Sequence, residues 1–319
     1  MSSEPIIECV PNFSEGTNRD KVSEIIGAMR VDGVQLLDYS LDRDHNRSVV
    51  TIAGSPASII EAAVRSVGRA AELVDLSRQT GVHPRIGVAD VIPFVPVSSI
   101  SLAECAMLAR QAGLQIWRRY GVPVYFYGAA ATRPDRIELE NVRRGQFEGL
   151  REAALVDASR RPDVGGPELH PTAGASAVGA RNFLIAYNVY LDSPSTSAGR
   201  LSGGDIGAAR AIARDIRASS GGLHGVKALG VLVNGRAQIS MNITDFHVTP
   251  MRRVHEAIRT LALRHGAIAG EGELIGLIPA EAYEPGAEWV SAIPDFDLHA
   301  KVLEHRIRQP MSWPDSSSR

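Results

Sequence analysis

Between Thr80 and Val97 the chain reads TGVHPRIGVADVIPFVPV, which sets His83, Arg85 and Asp90 just ahead of an apolar run. An imidazole titrates near neutrality, so His83 can both take and give a proton. Pro84 biases Val82 and His83 toward extended backbone. Arg85 offers a planar fork that fits a carboxylate. Asp90 can orient an imidazole or hold a cation. A competing reading makes His83 a turn residue before a strand, and spacing alone leaves both open. A second polar cluster, LLDYSLDRDHNRSVV, brings Asp38, Asp42, Asp44 and His45 together with Arg43 and Arg47. Asp and Asn favour turns, so most of this cluster reads as a solvated loop. Asp38 stands apart because it directly follows the apolar VQLL at a strand end. A third feature is the stretch Arg160–Ala180, RRPDVGGPELHPTAGASAVGA, dense in Gly and Pro and without a period. A segment this long is a functional loop or a linker. It holds neither a dinucleotide nor a P-loop fingerprint. Its glycines can still bring backbone N–H groups close to a flat ligand. Arg181 then opens the next strand.

Other chemistries find less support. The nine histidines show no HExxH spacing, and His247, His255 and His265 are scattered around one helix. No GxSxG is present, and Cys9 and Cys105 sit in apolar patterns that read as core. Two isolated cysteines make no disulfide framework and suit a reducing cytoplasm. The N-terminus lacks the basic and apolar regions of a secretory signal, and no apolar run is long enough to span a membrane. A net charge of −2 in 319 residues gives no basic excess for nucleic acid. The expected partner is a small molecule.

These residues need a frame to hold them. PIIECVPNF reads as a strand and TNRDKVSEIIGAMR as a helix with Thr17 as N-cap. VQLLDYSLD and RSVVTIAG read as strands. SPASIIEAAVRSVGRAAELVDL reads as a helix capped by Ser55, with Pro56 at its first position. The same order returns. RNFLIAYNVYL is a strand and SGGDIGAARAIARDIRAS a helix. VKALGVLVNGRAQISMNI is a hairpin turning at Asn234-Gly235. TPMRRVHEAIRTLALRHG is a helix with Thr249 as N-cap, and GELIGLIPAEAY closes the half. The fold class is α/β (α+β), with two ferredoxin-like subdomains, each a β-sheet covered by helices, and a ligand cleft expected between them. The expected boundaries are 1–180, 181–305 and a polar tail at 306–319, whose end QPMSWPDSSSR reads as frayed.

Seven collinear segments carry a resemblance. ECVPNFSEG, HNRSVVTIAG, HPRIGVADVIPFVPV, VPVYFYG, RRGQFEGL, PDVGGPELHPTAGASAVGARNFLIAYNVYL and GELIGLIPAEAY together resemble the glutamate formiminotransferase family, from about Ile6 to about Leu303. The resemblance implies a stand-alone form without the cyclodeaminase domain found fused in animals. It implies transfer of the formimino group from N-formimino-L-glutamate to N5 of tetrahydrofolate, with folate as co-substrate, no metal, and a homodimer. It places the catalytic histidine at His83. It places the folate loop at Gly165, Gly166, Pro167, Glu168, Leu169, His170, Pro171, Thr172, Ala173 and Gly174. Under that implied reaction Asp38 or Asp90 partners His83, and Arg47, Arg85 and Arg181 take the carboxylates of glutamate or of the folate tail. The ELHPTAG part of the loop and the DRDHN cluster depart from the animal form and bear on substrate preference. Competing readings are formyl transfer on the same site, a folate-binding protein without turnover, and a metal-dependent amide hydrolase.

Overall fold

The computed structural model describes residues 4–43, 45–79, 84–193 and 205–314, so His83 and Asp44 lie outside the described residues. The chain forms two units: one runs to Arg181 and takes back the chain from Pro310, and the other is Asn182–Gln309.

The first unit begins with β1 (Ile6–Cys9) and β2 (Asn12–Phe13), one line of chain broken at Val10-Pro11. Pro11 has no N–H for a ladder, which accounts for the break. Helix α1 (Arg19–Ala28), strands β3 (Val34–Asp42) and β4 (Arg47–Gly54), helix α2 (Pro56–Leu73) and strand β5 (Ala89–Ser98) follow. Strand β3 pairs with β4, β4 with β1 and β2, and those two with β5, all antiparallel. This is the split βαβ arrangement expected from the sequence. Helix α3 (Leu102–Tyr120), strand β6 (Val124–Gly128), helices α4 (Leu139–Val142) and α5 (Gln146–Val156), and strand β7 (Ser176–Ala180) then extend it. Strand β7 joins β5 in parallel, and β6 joins β7 in parallel.

Helices α1, α2 and α3 bury their apolar stripes on one face of this sheet. Ile25, Ile26, Ile59, Val64 and Ile116 meet Ile7, Ile52 and Phe94 there. On the opposite face Val142 and Leu150 of α4 and α5 pack on Val91, Tyr125 and Ala177. The candidate site lies on that same face.

The second unit repeats the order. Strand β8 (Ile185–Asp192), helix α6 (Ile206–Ile216), strands β9 (Val226–Val233) and β10 (Arg236–Ile243), helix α7 (Met251–Arg264) and strand β11 (Ile268–Ile275) form a sheet ordered β11-β8-β10-β9, antiparallel throughout. Asn234 and Gly235 turn the hairpin with φ of 50° and 76°, the mirror-image turn their sequence calls for. Tyr187, Ile239, Ile212, Ile258 and Trp289 fill its core.

Three local expectations give way to competing bonds. Asn18, not Thr17, caps α1, its Oδ1 accepting from Lys21 N at 3.1 Å. Thr17 instead donates its hydroxyl to Glu15 at 2.8 Å. Thr249 does not cap α7, because its hydroxyl is spent on His224 O at 2.6 Å. The start of the tail is held rather than frayed: Met311 N donates to Leu36 O at 2.8 Å, and Met311 and Trp313 pack on the first unit's core. Ser55 caps α2 as expected, with Pro56 at its first position.

Candidate functional site

Asp90 is the second residue of β5 and is 2 % exposed. Both its oxygens are engaged. Oδ1 accepts from Ile86 N at 2.7 Å, closing a turn at the start of the strand. Oδ2 accepts from Nη2 of Arg143, the residue that ends α4. The short helix therefore has a clear task, which is to carry a guanidinium onto the sheet face. A buried carboxylate without such a partner would be costly.

Arg47 opens β4 and donates to Oδ1 of Asn12 in β2. Burial, then repulsion from Arg143, lowers the Arg47 guanidinium to about 10, while Asp90 and Asp42 oppose the shift. Arg47 thus lies within electrostatic reach of the Asp90–Arg143 pair. Tyr127 of β6 extends the cluster. Burial pushes its phenol up to about 12, and the charges of Arg181 and Arg143 and a hydrogen bond from Arg181 act against that rise. Arg181, directly after β7, is fixed through its backbone N–H to Phe94 O at 3.1 Å. Asn12, Arg47, Asp90, Tyr127, Arg143 and Arg181 form one polar patch on the sheet, rich in guanidinium. Asp38 shares the face of Arg47: it pairs with Thr51, four residues along β4, roughly 13 Å away at strand rise. A register shift between Leu36 and Asp38 marks a bulge, a common device for re-aiming a side chain.

The residues flanking the stretch that contains His83 are tied together. Nη2 of Arg85 donates to Gln79 O at 2.7 Å and also meets Glu148 of α5 at 3.2 Å. Arg85 O accepts from Phe147 N at 2.8 Å. The Gln79 amide is held in turn by Asn46 and by Glu15 Oε2, the latter at 3.2 Å. Glu15 is itself buried. Burial works to raise its pKa, but hydrogen bonds from Asn18 and Thr17 hold it below the ordinary carboxylate value. Hence the NFSEGTN segment and the turn before β4 converge on Gln79. In that turn Asp42 accepts from His45 N at 2.9 Å and meets its ring at 2.6 Å, a local turn of the kind Asp residues favour.

The glycine-rich loop is pinned at both ends. Asp163 accepts from Phe126 N at 2.8 Å and pairs with Arg136 at 2.5 Å, both side chains being under a tenth exposed. Gly165 has a φ of +77°, and a Cβ there would lie 2.6 Å from the Trp117 ring. At Gly174, with φ +69°, a Cβ would lie 2.2 Å from Ile86 O. Both positions therefore require glycine for conformation and for packing. His170 and Gly174 exchange backbone hydrogen bonds of 3.0 and 2.9 Å. His170 Nδ1 accepts from Ala173 N at 3.0 Å, and burial lowers the ring's pKa. Thr172 O accepts from Leu76 N at 2.8 Å and Ala173 O from Val88 N at 3.0 Å. The loop thus borders Leu76 and Ile86–Val88, on either side of the His83 stretch. Gly166, Pro167, Glu168 and Pro171 are exposed.

Arg143, Tyr127, Gln79 and Glu15 escaped sequence reading. None belongs to a spaced motif, and Arg143 sits in an ordinary NVRRG run. Both cysteines are buried, and burial raises both thiols, Cys105 to about 11, which suits core packing. Among the described residues no group of three His, Cys, Asp or Glu side chains is placed to hold a metal ion. Nor is any helix among them long and apolar enough to cross a membrane.

Comparison with known proteins matches both units. The family model described as the formiminotransferase domain, N-terminal subdomain, matches residues 6–181. That described as the formiminotransferase domain matches residues 186–305. The chain is 43 % identical over 305 residues to glutamate formimidoyltransferase of Streptococcus pyogenes, covering 95 % of this chain and 98 % of that protein. It is 40 % identical over 309 residues to glutamate formimidoyltransferase of Thermoplasma acidophilum, with 95 % and 98 % covered. It is also 36 % identical over 312 residues to mouse formimidoyltransferase-cyclodeaminase, covering 95 % of this chain but 55 % of that protein.

Proposed function

This chain belongs to the formiminotransferase family, and on that premise we propose that it moves the formimino group of N-formimino-L-glutamate to N5 of tetrahydrofolate. The products are 5-formiminotetrahydrofolate and L-glutamate. The observation that carries this reading is the end-to-end match to glutamate formimidoyltransferases, 98 % of whose length is covered.

The chemistry assigns tasks to the residues. N5 attacks the formimino carbon and a C–N bond forms. The attacking nitrogen must then lose a proton, and the glutamate nitrogen must gain one before its own C–N bond breaks. His83 serves both transfers, a role worth roughly 10²–10⁴-fold. The donor carries two carboxylates, and the guanidinium-rich patch of Arg47, Arg143 and Arg181 supports their binding, with Arg85 nearby at the edge of the His83 stretch. Asp90 acts through Arg143: with both oxygens engaged, it fixes the guanidinium rather than the imidazole. That leaves Asp38 as the carboxylate for His83. The loop Gly165–Gly174 holds folate through its exposed rim, where Gly166, Pro167 and Glu168 are open to solvent.

Incubating the purified chain with N-formimino-L-glutamate and tetrahydrofolate tests the reading. We expect L-glutamate release equal to formimino-folate formed, and none without folate. Folate binding with no release would instead support a carrier. Glutamate release that needs no folate would support a hydrolase.

A further inference from the structure

The second unit holds a cavity of about 370 Å³ between helix α7 and residues 284–289, a volume in the range of small-molecule pockets. It lies on the side of the sheet that α7 covers. Arg252, His255 and Glu256, from one turn of α7, face Glu284, Glu288 and Trp289 across it. Half of these polar groups are engaged. Glu284 Oε2 accepts from Arg252 N at 3.0 Å and from Trp289 Nε1 at 3.1 Å, which ties residues 284–289 to the start of the helix. Glu288 pairs with Arg259. Three groups are left over. Arg252 meets Glu284 through Nε alone, at 3.5 Å, and its Nη groups make no bond among the described residues. Neither does the Glu256 carboxylate. Arg252 stands four residues before Glu256, the less favourable order for a helix ion pair, and the two do not bridge. The third group is His255, which is 5 % exposed. Its one hydrogen bond among the described residues joins Nδ1 to the Tyr187 hydroxyl at 2.9 Å.

The Tyr187 phenol is fully buried and makes no other hydrogen bond among the described residues. Its O–H therefore donates to Nδ1, since a buried hydroxyl without an acceptor is costly, and the ring's own N–H sits on Nε2. Nδ1 is turned into the core, which leaves the Nε2 edge to face the cavity that His255 lines. Burial, then the Arg259 charge, lowers the His255 pKa, and the charges of Glu288 and Glu256 oppose that shift, so both carboxylates lie within electrostatic reach of the ring. One cavity thus presents two unmatched donors, Arg252 Nη and His255 Nε2–H, beside one unmatched carboxylate, Glu256. A simple cation would leave the buried Nε2–H unmet, and a simple anion would leave Glu256 unmet. A zwitterion satisfies both. We propose that this cavity binds a free α-amino acid with a neutral or cationic side chain. The ligand carboxylate accepts from His255 Nε2–H and from Arg252, and its ammonium donates to Glu256. Glu284 and Glu288 on the facing wall repel a second carboxylate, so the cavity is not another seat for formiminoglutamate. The assignment does not depend on the reaction proposed above.

The test is a calorimetric titration of the full chain with L-lysine, with cadaverine, which lacks the α-carboxylate, and with Nα-acetyl-L-lysine, which lacks the α-ammonium. L-lysine should bind wild type saturably, and each analogue, having lost one charge-assisted contact, should bind roughly 10- to 100-fold more weakly. Arg252→Gln and Glu256→Gln should each weaken L-lysine by the same order. In Glu256→Gln, acetylation of the ligand should cost less than in wild type, because the partner of the ammonium is already neutral. Both substituted side chains are exposed, and circular dichroism on each variant separates misfolding from lost recognition. The absence of saturable L-lysine binding at millimolar concentration overturns the proposal. So does equal affinity for cadaverine and L-lysine, or an L-lysine affinity that neither variant changes. No folate enters these titrations, so their failure and the failure of formimino transfer are read separately.

Discussion

The two units share one strand order yet put opposite chemistry on the sheet face that their βαββαβ helices leave uncovered. In the first, Arg143 and Arg47 stand beside one buried carboxylate, Asp90, and Arg143 and Arg181 act on the neighbouring Tyr127. In the second, one carboxylate, Glu273, gathers two neutral amides, Asn188 and Gln238. The same topology therefore serves as a support, and a few side chains per face decide what it recognises. The first face is held by an ion pair, whereas the second is held by hydrogen bonds from two neutral amides to one carboxylate.

Breaking the first unit's chemistry should have the largest effect. His83→Ala should fold and bind folate but lose turnover by roughly 10²–10⁴-fold, read from kcat in single-turnover mixing. Retention of kcat would remove the imidazole from the mechanism. Next comes stability. Asp90→Asn leaves Arg143 buried without its counter-ion and should cost about 3–5 kcal/mol in denaturant unfolding. Glu273→Gln, which keeps an acceptor oxygen for Asn188 and Gln238 and leaves no charge unpaired, should cost about 1 kcal/mol or less. Equal losses would erase the distinction between a charge-built and a hydrogen-bond-built face. A smaller effect falls on the donor. Arg85→Ala should raise the formiminoglutamate KM by roughly tenfold and leave folate affinity unchanged. The smallest concerns a surface network away from both faces. Hydrogen bonds from Arg119, then Arg65, hold Glu61 down to about 2. Its contribution is present above the unfolded value of 4.5 and fades as pH falls from there toward 2. Because the pair is partly exposed, about 1 kcal/mol is expected, and Glu61→Gln should flatten that part of the acid-unfolding curve.

The repeated topology was legible because its signals are local. Apolar alternation, the Ser55-Pro56 start and the Asn234-Gly235 turn each act within a few residues. Helix starts were less legible. Thr17 and Thr249 have the right chemistry for caps, but the Glu15 carboxylate, two residues before Thr17, and the His224 carbonyl, 25 residues before Thr249, compete for their hydroxyls. The tail reads as polar, yet Met311 finds Leu36 across most of the chain. The site was legible in part. Asp90, Arg47 and Arg85 could be singled out beside a histidine. The role of Asp90 could not, because Arg143 reaches it from a helix 53 positions away. The glycines of the loop signal special backbone, and at Gly165 and Gly174 the cause is Trp117 and Ile86, which no spacing reveals. The Glu273 network was invisible for the same reason: its three members come from three strands and share no motif.

The most direct test of the proposed reaction follows the imino nitrogen. With 15N placed in the =NH of N-formimino-L-glutamate, true formimino transfer carries the label with the carbon onto N5. Mass spectrometry should then find the label in the folate product and none in glutamate. A 5-formyl product with the label released as ammonia, or no folate product at all, would contradict formimino transfer as this chain's reaction.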